Sequence, residues 1–99
     1  MTPIRWTQQA AASLGAIKEF ISQESPAYAV AVVGRLYNAV AQLAHFPDSG
    51  RVVPEHGRME IRELVRPPYR IVYRRRPDLV EILVVFRSSL PLPDFPANE

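Results

Sequence analysis

The 99-residue chain has no cysteine, so no disulfide staples it and no thiolate is available as nucleophile or metal ligand. It has only two histidines, His45 and His56, which match no ligand spacing for zinc, so no metal and no cofactor is expected. Four scattered glycines make no phosphate-cradling loop. The longest apolar run, residues 27–33, falls far short of the roughly 20 residues that span a bilayer. Met1-Thr2-Pro3-Ile4-Arg5 lacks the apolar segment of a secretory signal. The expectation is a cytoplasmic protein with no membrane partner.

What is present is ordinary for a globular domain: 47% hydrophobic and 22% charged residues, enough for one modest core and one domain over residues 1–99. The net charge of +2 conceals an asymmetry. Residues 51–76 hold eight arginines against Glu55, Glu60 and Glu63, and eleven of the twelve basic residues are arginine. Arginine suits bidentate recognition of carboxylate or phosphate. Two readings follow: a solvated strand face tied by salt bridges, or a surface for an acidic partner.

Residues 58–87 organise the rest. Residues 59–65 alternate loosely, and Pro67-Pro68 interrupts them. Residues 69–74 alternate strictly, with Tyr69, Ile71 and Tyr73 on one face and Arg70, Val72 and Arg74 on the other. Arg75-Arg76-Pro77-Asp78 turns the chain into residues 79–86, apolar on both faces and so a central strand.

Upstream, residues 3–6 are a short strand candidate, and Thr7 stands where a helix N-cap belongs. Leu14, Ile17 and Ile21 mark one stripe of a helix over residues 8–24, in which Gly15 suggests close approach of a neighbour. Ser25-Pro26 ends that helix and starts a second, residues 26–46, with Ala29, Val33, Leu36, Val40 and Leu43 on one seam. Phe46-Pro47-Asp48-Ser49-Gly50-Arg51 stops it, with Gly50 available for a positive φ. Residues 52–57 read as loop, and the proline-rich tail, 88–99, as non-helical chain that either covers the sheet or hangs away. The fold class is α+β: an N-terminal strand, then an antiparallel helix hairpin packed on a small, mainly antiparallel curved sheet, β-α-α-β-β-β. Leu14, Ile17, Leu36, Val40, Leu43, Val72, Ile82 and Val84 are expected between hairpin and sheet.

Three motifs in this order resemble the ParE/RelE superfamily of bacterial type II toxins. They are Trp6-Thr7 before the helix pair, Phe46-Pro47-Asp48-Ser49-Gly50-Arg51 after it, and Ile61-Arg62-Glu63-Leu64 with Tyr69-Arg70-Ile71-Val72-Tyr73-Arg74 before an apolar last strand. The wording is closer to ParE. That resemblance implies a toxin that poisons DNA gyrase by protein contact and has no hydrolytic activity. It also implies a cognate, ParD-like antitoxin whose C-terminal segment folds onto it in a hetero-oligomer. The RelE branch implies instead a ribosome-dependent mRNA endonuclease, and a non-toxic relative that keeps only antitoxin binding is the third alternative. Many relatives close the last strand with a histidine, where this chain has Phe86-Arg87-Ser88-Ser89, and no tyrosine follows Tyr73.

RNA cleavage needs a base, an acid and cations. Cations are plentiful, and Arg62, Arg70 and Arg87 are the catalytic candidates if the protein is a nuclease; otherwise there are none. Arginine stays protonated and cannot serve as the base. The target-binding expectation is Arg74, Arg75, Arg76 and Arg87. For the antitoxin it is Arg62, Arg70 and Arg74 with Leu36 and Val40 of the helix seam.

Overall fold

The computed structural model describes residues 1–96. The strands are β1 (Ile4–Trp6), β2 (Arg51–Val52), β3 (Ile61–Arg66), β4 (Tyr69–Arg75) and β5 (Val80–Arg87), and the helices are α1 (Gln8–Ser22) and α2 (Pro26–Ala41). They form one five-stranded sheet in the order β1-β5-β4-β3-β2, with β1 parallel to β5 and every other pair antiparallel. The α+β architecture is as expected, with three adjustments. α1 ends at Ser22, and α2 gives way after Ala41 to a 3-10 turn, Gln42–Ala44, that seats Leu43. Part of the stretch expected as loop and link is a strand, because Arg51 and Val52 pair with Glu63 and Arg62.

Thr7 joins the two layers. Its hydroxyl accepts from the Ala10 amide at 3.1 Å, capping α1, and donates to the Ile82 carbonyl of β5 at 2.7 Å. Ser25 caps α2 by accepting from the Tyr28 amide, with Pro26 in the first turn. Further along α1, the Ser13 hydroxyl accepts from the Val85 amide at 3.0 Å, satisfying a strand group beyond the reach of the three-residue β1.

A β-bulge decides the core. Val72 pairs with Val84 but Tyr73 pairs with Ile82, so Leu83 is the extra residue and the facing of β5 shifts there. Val80, Ile82 and Val85 face the helices, with Leu36, Val40, Leu43, Ile71 and Tyr73. Leu83, Val84 and Phe86 face the other way, with Val53, Ile61 and Val72. Val72 and Val84 are therefore buried on the opposite side of the sheet from the hairpin, contrary to expectation. Leu14 and Ile17 pack on the main core only half-buried. The tail covers the second core with Leu92 and Phe95, and the carbonyls of Asp94 and Pro96 accept from Gln9 and Arg74. Gly15 has no neighbour: a Cβ there would meet nothing within 4 Å.

Candidate functional site

The sheet face away from the helices carries charge in two layers. Glu63 and Glu81 lie fully buried against the strands, and arginines stand over them. Arg51 Nε reaches Glu63 Oε2 and Arg70 Nε reaches Glu63 Oε1, each at 2.6 Å. Arg70 then closes a bidentate pair with Glu55 at 2.8 and 2.9 Å. The result is an alternating chain, Arg51–Glu63–Arg70–Glu55. The Arg70 hydrogen bonds pull the Glu55 carboxyl from 4.5 down to about 2, and Glu55 in turn holds the Arg70 guanidinium above its ordinary value. Arg70 also lies 5.0 Å from the Phe86 ring centroid.

Glu81 anchors the second cluster. Its strand neighbours are Arg5 on β1 and Arg74 on β4. Arg5 and Arg76 pair with its carboxylate directly, and Arg74 Nη1 stands at 3.6 Å.

Arg62 and Glu63 project to opposite faces, as their succession along a strand demands. Arg62 lies on the helix side and donates to the Gly50 carbonyl at 2.9 Å. Nearby, the Tyr73 hydroxyl donates to the Pro47 carbonyl at 2.8 Å and accepts from the Gly50 amide at 2.9 Å. Burial raises the Tyr73 phenol above its ordinary value. Gly50 is needed for space rather than for a positive φ: an added Cβ would lie 2.6 Å from both the Glu63 carbonyl and the Tyr73 hydroxyl. Among the described residues the positive-φ glycine is Gly57, at φ 64°.

The nuclease candidates do not converge. Arg70 lies on the tail side of the sheet, Arg62 on the helix side, and Arg87 on the helix side at the other end of the strands, 5.8 Å from the Tyr69 ring centroid. The expected target set also divides. Arg74, Arg75 and Arg76 cluster at the β4–β5 turn, where Arg75 pairs with Asp48 at 3.1 Å, and Arg87 is roughly 20 Å away along the strand. Of the residues expected at the antitoxin surface, Leu36 and Val40 are buried in the main core, and Arg74 is 4% exposed under the tail. Both histidines are exposed; His56 stacks on Phe95 at 5.0 Å and His45 tilts against Phe46.

Two residues outside those expectations stand out. Arg35 and Arg66 are exposed and line one groove with Val32, Leu36, Pro67 and Tyr69. The sequence signal for Arg66 was its place beside Pro67; for Arg35, on a helix far away in the chain, there was none. No group of three metal-ligating side chains occurs among the described residues, and none of their helices is long and apolar enough to cross a membrane.

Residues 4–89 match the family described as the ParE toxin of the type II toxin–antitoxin system, parDE. The chain is 39% identical over 90 residues to toxin RelE2 of Caulobacter vibrioides, covering 90% of this chain and 98% of that one. It is 42% identical over 93 residues to putative toxin Y4kP of Sinorhizobium fredii, covering 91% and 92%. Among solved structures, a chain of the chromosomal ParDE system from P. aeruginosa superimposes with a TM-score of 0.71 at 27% identity, covering 88% of this chain and 96% of that one. The RelBE2 toxin–antitoxin complex from Mycobacterium tuberculosis shares the fold, with a TM-score of 0.55 at 22% identity over 87% of this chain and 96% of that one. With a family match over nearly its whole folded length and relatives about 40% identical across nine-tenths of it, this chain belongs to the ParE toxin family of type II toxin–antitoxin systems.

Proposed function

We propose that this toxin inhibits DNA gyrase by protein contact rather than by cutting RNA, and that a ParD-like antitoxin holds it inactive in a cytoplasmic hetero-oligomer. The observation that carries this reading is the disposition of the three nuclease candidates. Arg70 is enclosed between Glu63 and Glu55 on one face of the sheet, while Arg62 and Arg87 serve the other face at opposite ends. Cations stabilise a phosphorane only when they point at one site. A protein surface has no such requirement, since contacts there are distributed.

For the target contact the reading keeps the β4–β5 turn, where Arg75 and Arg76 are partly exposed beside Pro77 and Asp78. The antitoxin contact needs groups that the chain itself leaves accessible. Arg62, Arg70 and Arg74 can contribute only by exchanging their present partners, and Leu36 and Val40 only from beneath the surface. The outer hairpin groove of Trp6, Leu14, Val33 and Tyr37 is open to an apolar partner.

Two assays on purified toxin decide the target: gyrase supercoiling with trapping of cleaved DNA, and mRNA cleavage on translating ribosomes. Gyrase inhibition without RNA cuts is the expected result. Position-specific cuts in ribosome-bound mRNA, lost in Arg70→Ala, overturn it. The second reading, an endonuclease, draws on the likeness to the relative named RelE2. Inactivity in both assays leaves a non-toxic antitoxin-binding relative, in line with the Phe86-Arg87-Ser88-Ser89 departure.

A further inference from the structure

The face of the sheet away from the helices has an apolar floor of Val53, Ile61, Val72, Leu83, Val84 and Phe86. The tail packs Leu92 and Phe95 on that floor. Residues 4–89 are the part of the chain that matches the ParE family, so both anchors of this cover lie beyond the match. Leu92 and Phe95 stand three residues apart, one turn of a polyproline helix, a spacing that brings both to one side of an extended segment. Pro91, Asp94 and Pro96 are exposed.

Side chains, and no strand pairing, tie the tail down. Pro91, Pro93 and Pro96 have no amide to donate, and residues 91–96 form no strand. The Gln9 side-chain amide donates to the Asp94 carbonyl at 2.6 Å, and the Arg74 guanidinium to the Pro96 carbonyl at 2.8 Å. His56 stacks on Phe95 with ring centroids 5.0 Å apart. Both anchors stay partly exposed. A segment held by so few contacts opens at a lower free energy than the strands beneath it. Under it lies Arg74, 4% exposed, while the Arg75 and Arg76 that follow are partly open to solvent.

We propose that this face is a binding groove for an extended, proline-rich segment with two apolar anchors three residues apart, and that the chain's own tail fills it as a detachable strap that hides Arg74 from the target. The hiding of Arg74 rests on the reading of the β4–β5 turn as the target contact; the groove does not. With the strap closed, the turn offers only Arg75 and Arg76 of its three consecutive arginines. With the strap open, the Pro96 carbonyl leaves Arg74, and a third guanidinium comes within reach of an acidic surface. Tethering gives the tail an effective concentration on the order of millimolar, so it outcompetes a free segment of the same kind. The closed fraction then lowers the apparent affinity for the target.

The test uses full-length Leu92→Ser/Phe95→Ser, which empties the groove while the tail stays attached, and a synthetic peptide of residues 88–96. The His56 ring protons report on the groove, because the ring current of Phe95 displaces their NMR signals in the parent. His45, against Phe46, is the internal control. In the variant the His56 signals should move towards those of free histidine, and the peptide, on the order of millimolar, should bring them back. The same peptide should leave the parent unchanged. His56 signals that the peptide does not move in the variant overturn the groove. In the supercoiling assay the variant should inhibit gyrase at a concentration lower than the parent's by about threefold or more, and excess peptide should cancel the gain. Phe95→Ala, which keeps Leu92 in place, should show smaller changes in the same directions, and it decides both points if the double variant does not fold. Equal or weaker inhibition by the opened forms overturns the strap. If neither parent nor variants inhibit gyrase, the target reading falls and the masking of Arg74 with it, while the peptide titration still decides the groove.

Discussion

The Tyr73 hydroxyl bridges the two ends of a turn that no strand pairing holds, donating to the Pro47 carbonyl and accepting from the Gly50 amide. A side chain in the middle of β4 thus fixes the exit of the helix hairpin into the sheet. Gly50 has no Cβ because the Tyr73 ring and the Glu63 backbone fill that space.

Gly50→Ala should therefore destabilise the fold by about 1–3 kcal/mol, through a clash with atoms that have no room to move. Tyr73→Phe should cost a similar amount, about 1–3 kcal/mol, by leaving a buried amide and carbonyl without partners. Gly15→Ala is the contrast: with nothing within 4 Å, it should be neutral or stabilising by up to about 1 kcal/mol. Urea unfolding of the three variants measures all of this; an unchanged Gly50→Ala midpoint excludes the steric account.

Leu36 is 3% exposed at the centre of the main core. Leu36→Ala should lose about 2–5 kcal/mol, a large share of a small domain's stability. If the variant melts with the parent, the α2 seam does not face the sheet.

Glu81 is enclosed by Arg5, Arg74 and Arg76, and Arg74 is itself buried. Glu81→Gln removes the negative charge that these three arginines share, one of them buried, a loss of about 3–5 kcal/mol. Glu60→Gln, in the exposed pair with Arg58, should leave the melting temperature unchanged. Equal melting of the two variants contradicts the buried-cluster account.

Acid should act on the Glu55–Arg70 pair in a defined window. The folded pKa of Glu55, about 2, lies below its ordinary 4.5, so ionised Glu55 favours the folded state above 4.5. That contribution is lost as pH falls from 4.5 towards 2. Glu55 is 43% exposed, so solvent screening keeps the contribution small. Melting of the parent and Glu55→Gln should differ above this window and converge at its lower end. A constant difference at every pH refutes the linkage.

If the toxin acts at the β4–β5 turn, Arg75→Glu/Arg76→Glu should reduce gyrase inhibition more than antitoxin affinity. The two measurements together separate the target surface from the antitoxin surface.

All the strands but the two-residue β2, the hairpin and their order were legible in the amino-acid sequence because each rests on a local period: two for residues 69–74, three to four for Leu14–Ile17–Ile21 and Leu36–Val40–Leu43. Thr7, Ser25-Pro26 and Pro47 punctuate the helices by local chemistry that needs no tertiary partner. The exact facing of β5 was not legible, since a strand apolar on both sides has no pattern to reveal a bulge at Leu83; only pairing with β4 fixes it. Gly50 was visible as a glycine, but its reason, the Tyr73 ring, is 23 residues away. The arginines show the same division most sharply. Composition declared them abundant and placed most of them on the meander. Which ones pair with Glu55, Glu63 and Glu81, and which three are left around Tyr69, depends on the faces and neighbours that the folded sheet assigns, because an ion pair is a relation in space that spacing along a chain does not specify.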